Sequence, residues 1–260
     1  MLYFGCHAVL FGEKIKTDTA AVLENLAKTG FAGIECGFRF IGDDLPRVLD
    51  EIKKQGLLFS GFHAGTKFAD FLGGPEPAGD LLLKISDKLL QVPASIMPYK
   101  NIVMSGNFEG LQDKANLEKA VLNFNEVAGM IKSKGVSINY HNHAREFENG
   151  GAIYRTLLEK IPNMNFGFDL GWVEAGGGNI ETVLKEAKGR VQYVHLRDLV
   201  KTGGKEFADL GNGVTDLPKV IKLAKETIGA DGWIVVEYET GEKDYSRYTR
   251  AREYLKKIGY

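Results

Sequence analysis

Short apolar runs alternate with longer amphipathic stretches through almost the whole chain, a pattern that predicts parallel β/α units. Candidate strands fall at 2–8, 32–36, 57–63, 101–106, 136–143, 164–169, 191–197 and 233–239. The clearest helix is 116–134, where Leu117, Ala120, Val121, Phe124, Val127, Ala128 and Ile131 share one face and Gly135 marks the stop. Segment 44–55 starts with Asp44 as a cap and Pro46 in the first turn. It packs Leu45, Val48, Leu49 and Ile52 on one side and ends at Gly56. Similar stripes run through 18–29, 179–188, 216–228 and 244–258. Eight strands interleaved with helices over a chain of this length predict one domain spanning 1–260, a (β/α)8 TIM barrel. An open doubly wound sheet is disfavoured, because no Gly-x-Gly-x-x-Gly turn follows the first strand. The least regular stretch is 64–100, which holds Pro75, Pro77, Pro93, Pro98 and Gly73-Gly74. It reads either as a lid over the barrel mouth or as irregular packing.

Within the strands the residues sort by parity. In the fifth, Val136, Ile138 and Tyr140 share one face, while Ser137, Asn139, His141 and His143 share the other. A barrel strand sends alternate residues inward, so the polar set belongs inside and the apolar set under the helices. The sixth strand repeats this with Asn165, Gly167 and Asp169, the seventh with His195 and Arg197, and the eighth with Val235, Glu237 and Glu239. His7, Glu35 and His63 lie near the ends of the first three strands. All five histidines of the chain therefore sit at C-terminal strand ends, where barrels of this architecture build their sites.

His141, Asp169, His195 and Glu237 come from four consecutive strands and offer a mixed nitrogen and oxygen ligand set. One divalent cation (Mn, Co, Fe, Zn or Mg) is the expected cofactor, with Mg the poorest match to two imidazoles. Such an ion can chelate the carbonyl and neighbouring hydroxyl of a keto-sugar and stabilise the enediolate formed on proton removal. Glu237 and His143 are the candidate acid–base residues, with Glu239 a further available group. His7, Glu35, His63, Trp172, Arg197 and Glu239 are candidate substrate contacts. Each has a plainer reading: inward histidines hydrogen-bond in cores, Glu35 neutralises a neighbouring cation, Arg197 pairs with a glutamate, and Trp172 packs. Asp169 is costly to bury without a partner, which favours a site. Asp198 has the opposite parity to His195 and Arg197, so a structural role under a loop is expected. The glycines and Pro218 of GNGVTDLP read as turn and helix-start chemistry.

Composition narrows the partners more than the chemistry. Net charge is −1 with no long basic run, so a nucleic-acid partner is not expected. No apolar run is long enough to span a bilayer, and MLYFGCHAVLF reads as a strand rather than a leader. Cys6 and Cys36 fall inside apolar strands and read as buried reduced thiols of a cytoplasmic protein. A small carbohydrate or polyol is the expected partner, with a homo-oligomer left open.

The stretches YHNH (140–143), FDLGW with the following VEAGGG, YVHLRD and GNGVTDLPKV, set between GFAGIECG (30–37) and IVVEYE (234–239), resemble the sugar phosphate isomerase/epimerase family with its xylose isomerase-like barrel. That group also includes inosose dehydratases, ketose epimerases, hydroxypyruvate isomerases and, more distantly, endonuclease IV. The resemblance implies a cation held by His141, Asp169, His195 and Glu237. It departs at His141, where ketose epimerases carry a glutamate that works opposite the one on the eighth strand, and near Trp172, where they carry a histidine. The leading expectation is a metal-dependent isomerase or epimerase of a keto-sugar, inosose or related polyol. The alternative is a lyase or dehydratase on the same substrates. A DNA-cleaving enzyme fits poorly, and a barrel that binds sugar without turning it over is the remaining reading.

Overall fold

The computed structural model describes residues 1–260 apart from Asp43, Asn107, Glu109, Gly110 and Gln112. Eight parallel strands close into a barrel: β1 Leu2–His7, β2 Gly33–Gly37, β3 Leu58–Ala64, β4 Asn101–Ser105, β5 Ser137–His141, β6 Asn165–Asp169, β7 Val191–Leu196 and β8 Gly232–Val236. The outer layer consists of α1 Thr19–Lys28, α2 Leu45–Lys54, α3 Ala78–Leu90, α4 Lys114–Ser133, α5 Ala152–Lys160, α6 Ile180–Glu186, α7 Leu217–Ile228 and α8 Ser246–Lys257. The predicted architecture is the observed one, and no described helix is long and apolar enough to cross a membrane.

The stripe read from the sequence is the buried face of α4, from Leu117 through Ile131. Asp113 caps that helix by accepting the Asn116 amide at 3.0 Å, and Gly135 follows at φ +80°. The stretch 64–100 is irregular on either side of one regular helix. It contains α3, whose Leu82, Ile85 and Leu89 pack into the core, so this is the ordinary crossover between β3 and β4. Asp44 stands at the N-cap of α2 but makes no capping hydrogen bond; its carboxylate pairs with Arg47 instead. Cys6 and Cys36 are free and buried as expected.

The floor of the barrel is closed by Trp233, which is fully buried and stacks on Tyr3 with ring centroids 4.8 Å apart. Val103, Tyr193 and Val235 complete this inner cluster. The ring fits because β1 and β2 carry glycines beside it. A Cβ on Gly33 would stand 2.8 Å from the Trp233 ring and 2.5 Å from the Leu58 carbonyl oxygen. Above lies a polar band: Asn139 donates to Asn101 at 3.1 Å, and Asn101 donates to the Ser60 carbonyl at 3.0 Å. At Ser60 and Gly61 the pairing of β2 with β3 slips by one residue. That bulge reverses the parity of the rest of β3 and places His63 on the inner face.

Candidate active site

The strand ends that carry the chemistry lie at matching heights. Pairing sets His7 beside Glu35, Ser105 beside His141, and Asp169 beside His195. Strands β5 and β8 end at His141 and Val236, so His143, Glu237 and Glu239 stand just beyond the ladder and keep their predicted inward parity. The inner residues are almost completely buried: His7, Glu35, His141, Asp169, His195, Arg197 and Glu237 are each no more than 3% exposed. His143 is half-buried and Glu239 reaches solvent.

Donor atoms of His141, Asp169, His195 and Glu237 all lie within 4.8 Å of one another. The Nδ1 atoms of His141 and His195 are 2.6 Å apart, and His195 Nδ1 is 2.9 Å from Glu237 Oε2. Asp169 Oδ2 is 4.0 Å from His141 Nε2. Glu237 Oε2 is buried without an aligned hydrogen-bond donor, although the charges of His195 and Arg197 stand close to it. The donor set and this under-satisfied oxygen fit a divalent first-row cation held by these four residues. A second group, His141, His143 and Glu239, converges at the same 4.8 Å limit on the solvent side.

Glu35 organises the far side of His195. Its Oε2 lies 2.6 Å from His195 Nε2 and accepts the Tyr193 hydroxyl at 2.7 Å, while Ser60 Oγ braces that hydroxyl at 2.7 Å. A proton on Nε2 facing Glu35 leaves Nδ1 as the nitrogen directed at the cluster. Burial acts to raise the Glu35 carboxyl, but His195 and His7 outweigh it and hold it at about 2. Burial likewise opposes a charge on His195, yet Glu35 and Glu237 raise it well above the usual imidazole value. His141 is driven well below that value by burial and by the neighbouring His195, so it stays neutral. Burial brings His63 down to about 4. Burial opposes the charge on Glu237, but Arg197, His195 and His7 together outweigh it and hold the carboxyl well down, whereas burial prevails at Asp169 and raises it.

Arg197 is engaged internally. It pairs through Nε with Asp169 and places Nη2 at 3.0 Å from Glu237 and 3.1 Å from Glu239. The guanidinium carbon also lies 5.7 and 4.8 Å from the ring centroids of Trp172 and Phe207. His7 meets Glu237 at 2.8 Å and Glu35 at 3.5 Å, and His63 meets Ser105 at 2.9 Å. Trp172 therefore packs, yet it also walls the site, its ring 5.8 Å from that of His143.

Four contributors escaped the sequence reading. Asn142 clamps the Asp169 backbone, donating to its carbonyl and accepting its amide, both at 3.1 Å. It lies inside the YHNH stretch, but its parity pointed away from the site. Tyr193 shares the parity of His195, which was the available signal. Ser60 is masked by the bulge, and Ser105 ends β4 among apolar residues. Asp198 has the structural role expected of it: its carboxylate accepts the amides of Gly211 and Gly213, both at 2.9 Å, and of Thr215 at 3.1 Å. Asp198→Ala leaves three amides without their acceptor, and a loss of about 2–4 kcal/mol is expected in urea unfolding.

Residues 23–258 match the model of the family described as xylose isomerase-like TIM barrel. The chain belongs to that family. Among curated relatives, this xylose isomerase-like chain is 24% identical over 266 residues to an inosose dehydratase of Serratia proteamaculans, covering 90% of this chain and 88% of the relative. Its backbone is similar to a sugar phosphate isomerase/epimerase from Parabacteroides distasonis, with TM-score 0.75 and 17% identity over 97% of this chain and 93% of that one. It is also similar to a D-allulose 3-epimerase from Methylomonas in complex with D-allulose, with TM-score 0.71 and 17% identity, covering 99% and 97%. These structural likenesses establish the shared fold.

Proposed function

We propose that this barrel removes a proton beside the carbonyl of a keto-sugar or keto-inositol and completes the reaction by expelling a neighbouring hydroxyl as water. The observation that carries the reading is the convergence of His141, Asp169, His195 and Glu237. A divalent cation held there would polarise the substrate carbonyl and its adjacent hydroxyl. Arg197 is the only permanent cation paired with Asp169, Glu237 and Glu239 among the described residues.

The chain's own groups divide the proton transfers. Glu237, kept ionised by Arg197, His195 and His7, takes the carbon-bound proton. The electron pair left on carbon forms the enediolate, which collapses by breaking the bond to the β-hydroxyl. His143, half-buried at the mouth, gives that hydroxyl a proton so that it departs as water. Trp172 shields the centre from bulk solvent.

Elimination is favoured over epimerisation by the unlike partners at the mouth. The β5 wall presents histidines and the β8 wall presents carboxylates, so the matched carboxylate pair with which ketose epimerases work on opposite substrate faces is replaced, and a histidine stands where it can protonate a departing hydroxyl. The inosose dehydratase relative supports the same choice. Isomerisation or epimerisation through the same enediolate is the second reading, and the epimerase neighbours in fold keep it in view. Incubating the manganese-loaded protein in D₂O with keto-inositols and 3-keto-sugars decides between them. Elimination gives a product lighter by one water; isomerisation or epimerisation gives an isomer of unchanged composition apart from deuterium. No turnover and no exchange on any of these compounds would overturn both.

A further inference from the structure

Two cavities open at the barrel mouth, and both are lined by Glu237 and Glu239. The first, about 210 Å³, runs over the first strands and is walled by His7, His63, Ser105, Gly37 and Arg39. The second, about 390 Å³, lies on the other side of Glu239 and is walled by Trp172, Arg197, Val200, Phe207 and Arg247. Glu239, tethered at 3.1 Å to Arg197, forms the partition. Resting on the function proposed above, we infer that the second cavity is a subsite for a flat, apolar-faced ring joined by a glycosidic bond to the sugar at the catalytic centre.

The character of that cavity carries the inference. Phe207 stands on a two-stranded ribbon of Asp198–Leu199 and Phe207–Ala208 and meets Trp172 edge-on, with centroids 4.7 Å apart at 87°. Gly171 permits this approach, because a Cβ there would stand 2.8 Å from both Phe207 and Arg197. Val200 beside them is 46% exposed, so an apolar wall faces solvent. Trp172 Nε1 is buried without a hydrogen-bond partner, so this residue faces the cavity as an apolar wall. The cations around it are already engaged: Arg197 as described, Arg247 with Asp209 at 2.7 Å, and Lys205 with Glu148 at 2.6 Å. Neutralised cations and aromatic walls select a neutral ring rather than a phosphate or carboxylate. A single sugar bound in the smaller cavity would leave the Trp172 and Phe207 wall of the larger one without a ligand.

Calorimetric titration of the manganese-loaded protein with methyl β-D-glucoside, p-nitrophenyl β-D-glucoside and cellobiose tests this. At least one of the two extended glycosides should bind about tenfold more tightly than the methyl glycoside. That advantage should disappear in Phe207→Ala and in Trp172→Leu, with thermal melts confirming that the variants fold. An advantage for the nitrophenyl compound alone assigns the subsite to an aryl group, and one shared by cellobiose extends it to a second sugar. Equal affinity for all three ligands, an advantage that survives both substitutions, or no binding of any overturns the subsite. The D₂O assay separates the two ideas: keto-sugar turnover without a glycoside advantage leaves the catalytic reading intact, and the converse leaves the subsite intact.

Discussion

Glu237→Gln is expected to abolish turnover of any keto-sugar substrate, lowering kcat by about 10³-fold or more. The loss has two sources in one side chain. General base catalysis contributes about 10²–10⁴-fold, and an amide cannot accept the carbon-bound proton at neutral pH. The same change removes one of the four converging donors and the common partner of His7, His195 and Arg197, so bound manganese should fall as well. Activity and manganese content measured on one preparation, with a thermal melt as a check on folding, test both parts. Glu239→Gln is the informative contrast, because that side chain is 35% exposed and touches only the outer edge of the cluster. It should cost no more than about tenfold. Equal losses for the two variants would count against Glu237 as the base.

Glu35→Gln tests a residue that touches neither the cation position nor the mouth. It holds His195 by Nε2 and is itself held by Tyr193. Carboxylates that orient a ligating histidine in this way change metal affinity by about 10–100-fold when altered. Glutamine keeps the shape but loses the charge that fixes the Nε2 proton, and Nδ1 then becomes a poorer electron donor. Manganese affinity measured by titration should drop by that factor while the fold persists. The pH dependence has a definite sign. A cation can use His195 Nδ1 only after that nitrogen gives up its proton, and Glu35 together with Glu237 raises the pKa that governs this. Manganese binding by the unaltered protein should therefore release a proton and weaken as pH falls. Unchanged affinity in Glu35→Gln would leave Glu35 as a packing residue only.

The barrel and the inward face of its later strands were legible because both rest on periodicity. Ser137, Asn139 and His141 announce an inner face by alternation, and Leu117 to Ile131 announce a buried helical stripe. What was not legible depends on neighbours across the barrel. Glu35 could be placed at a strand end, but its partner on β7 lies 160 positions further along the chain and leaves no local trace. Arg197 offered two readings, and only the positions of Asp169, Glu237 and Glu239 choose between them. The slip at Ser60 and Gly61 is a pairing property of two strands, invisible in either alone. Helix α3 was obscured by the prolines and glycines around it, which punctuate a connection without replacing its helix. Asp44 shows the limit of local rules, since its carboxylate found Arg47 before any backbone amide.

The Trp233 floor makes the chamber a blind well. Among the described residues the open side lies at Glu239, so a substrate of the proposed reaction would arrive and its product depart there. Product still seated in either half obstructs the next arrival, so emptying the well can govern the pace of turnover once the bond-breaking step is fast.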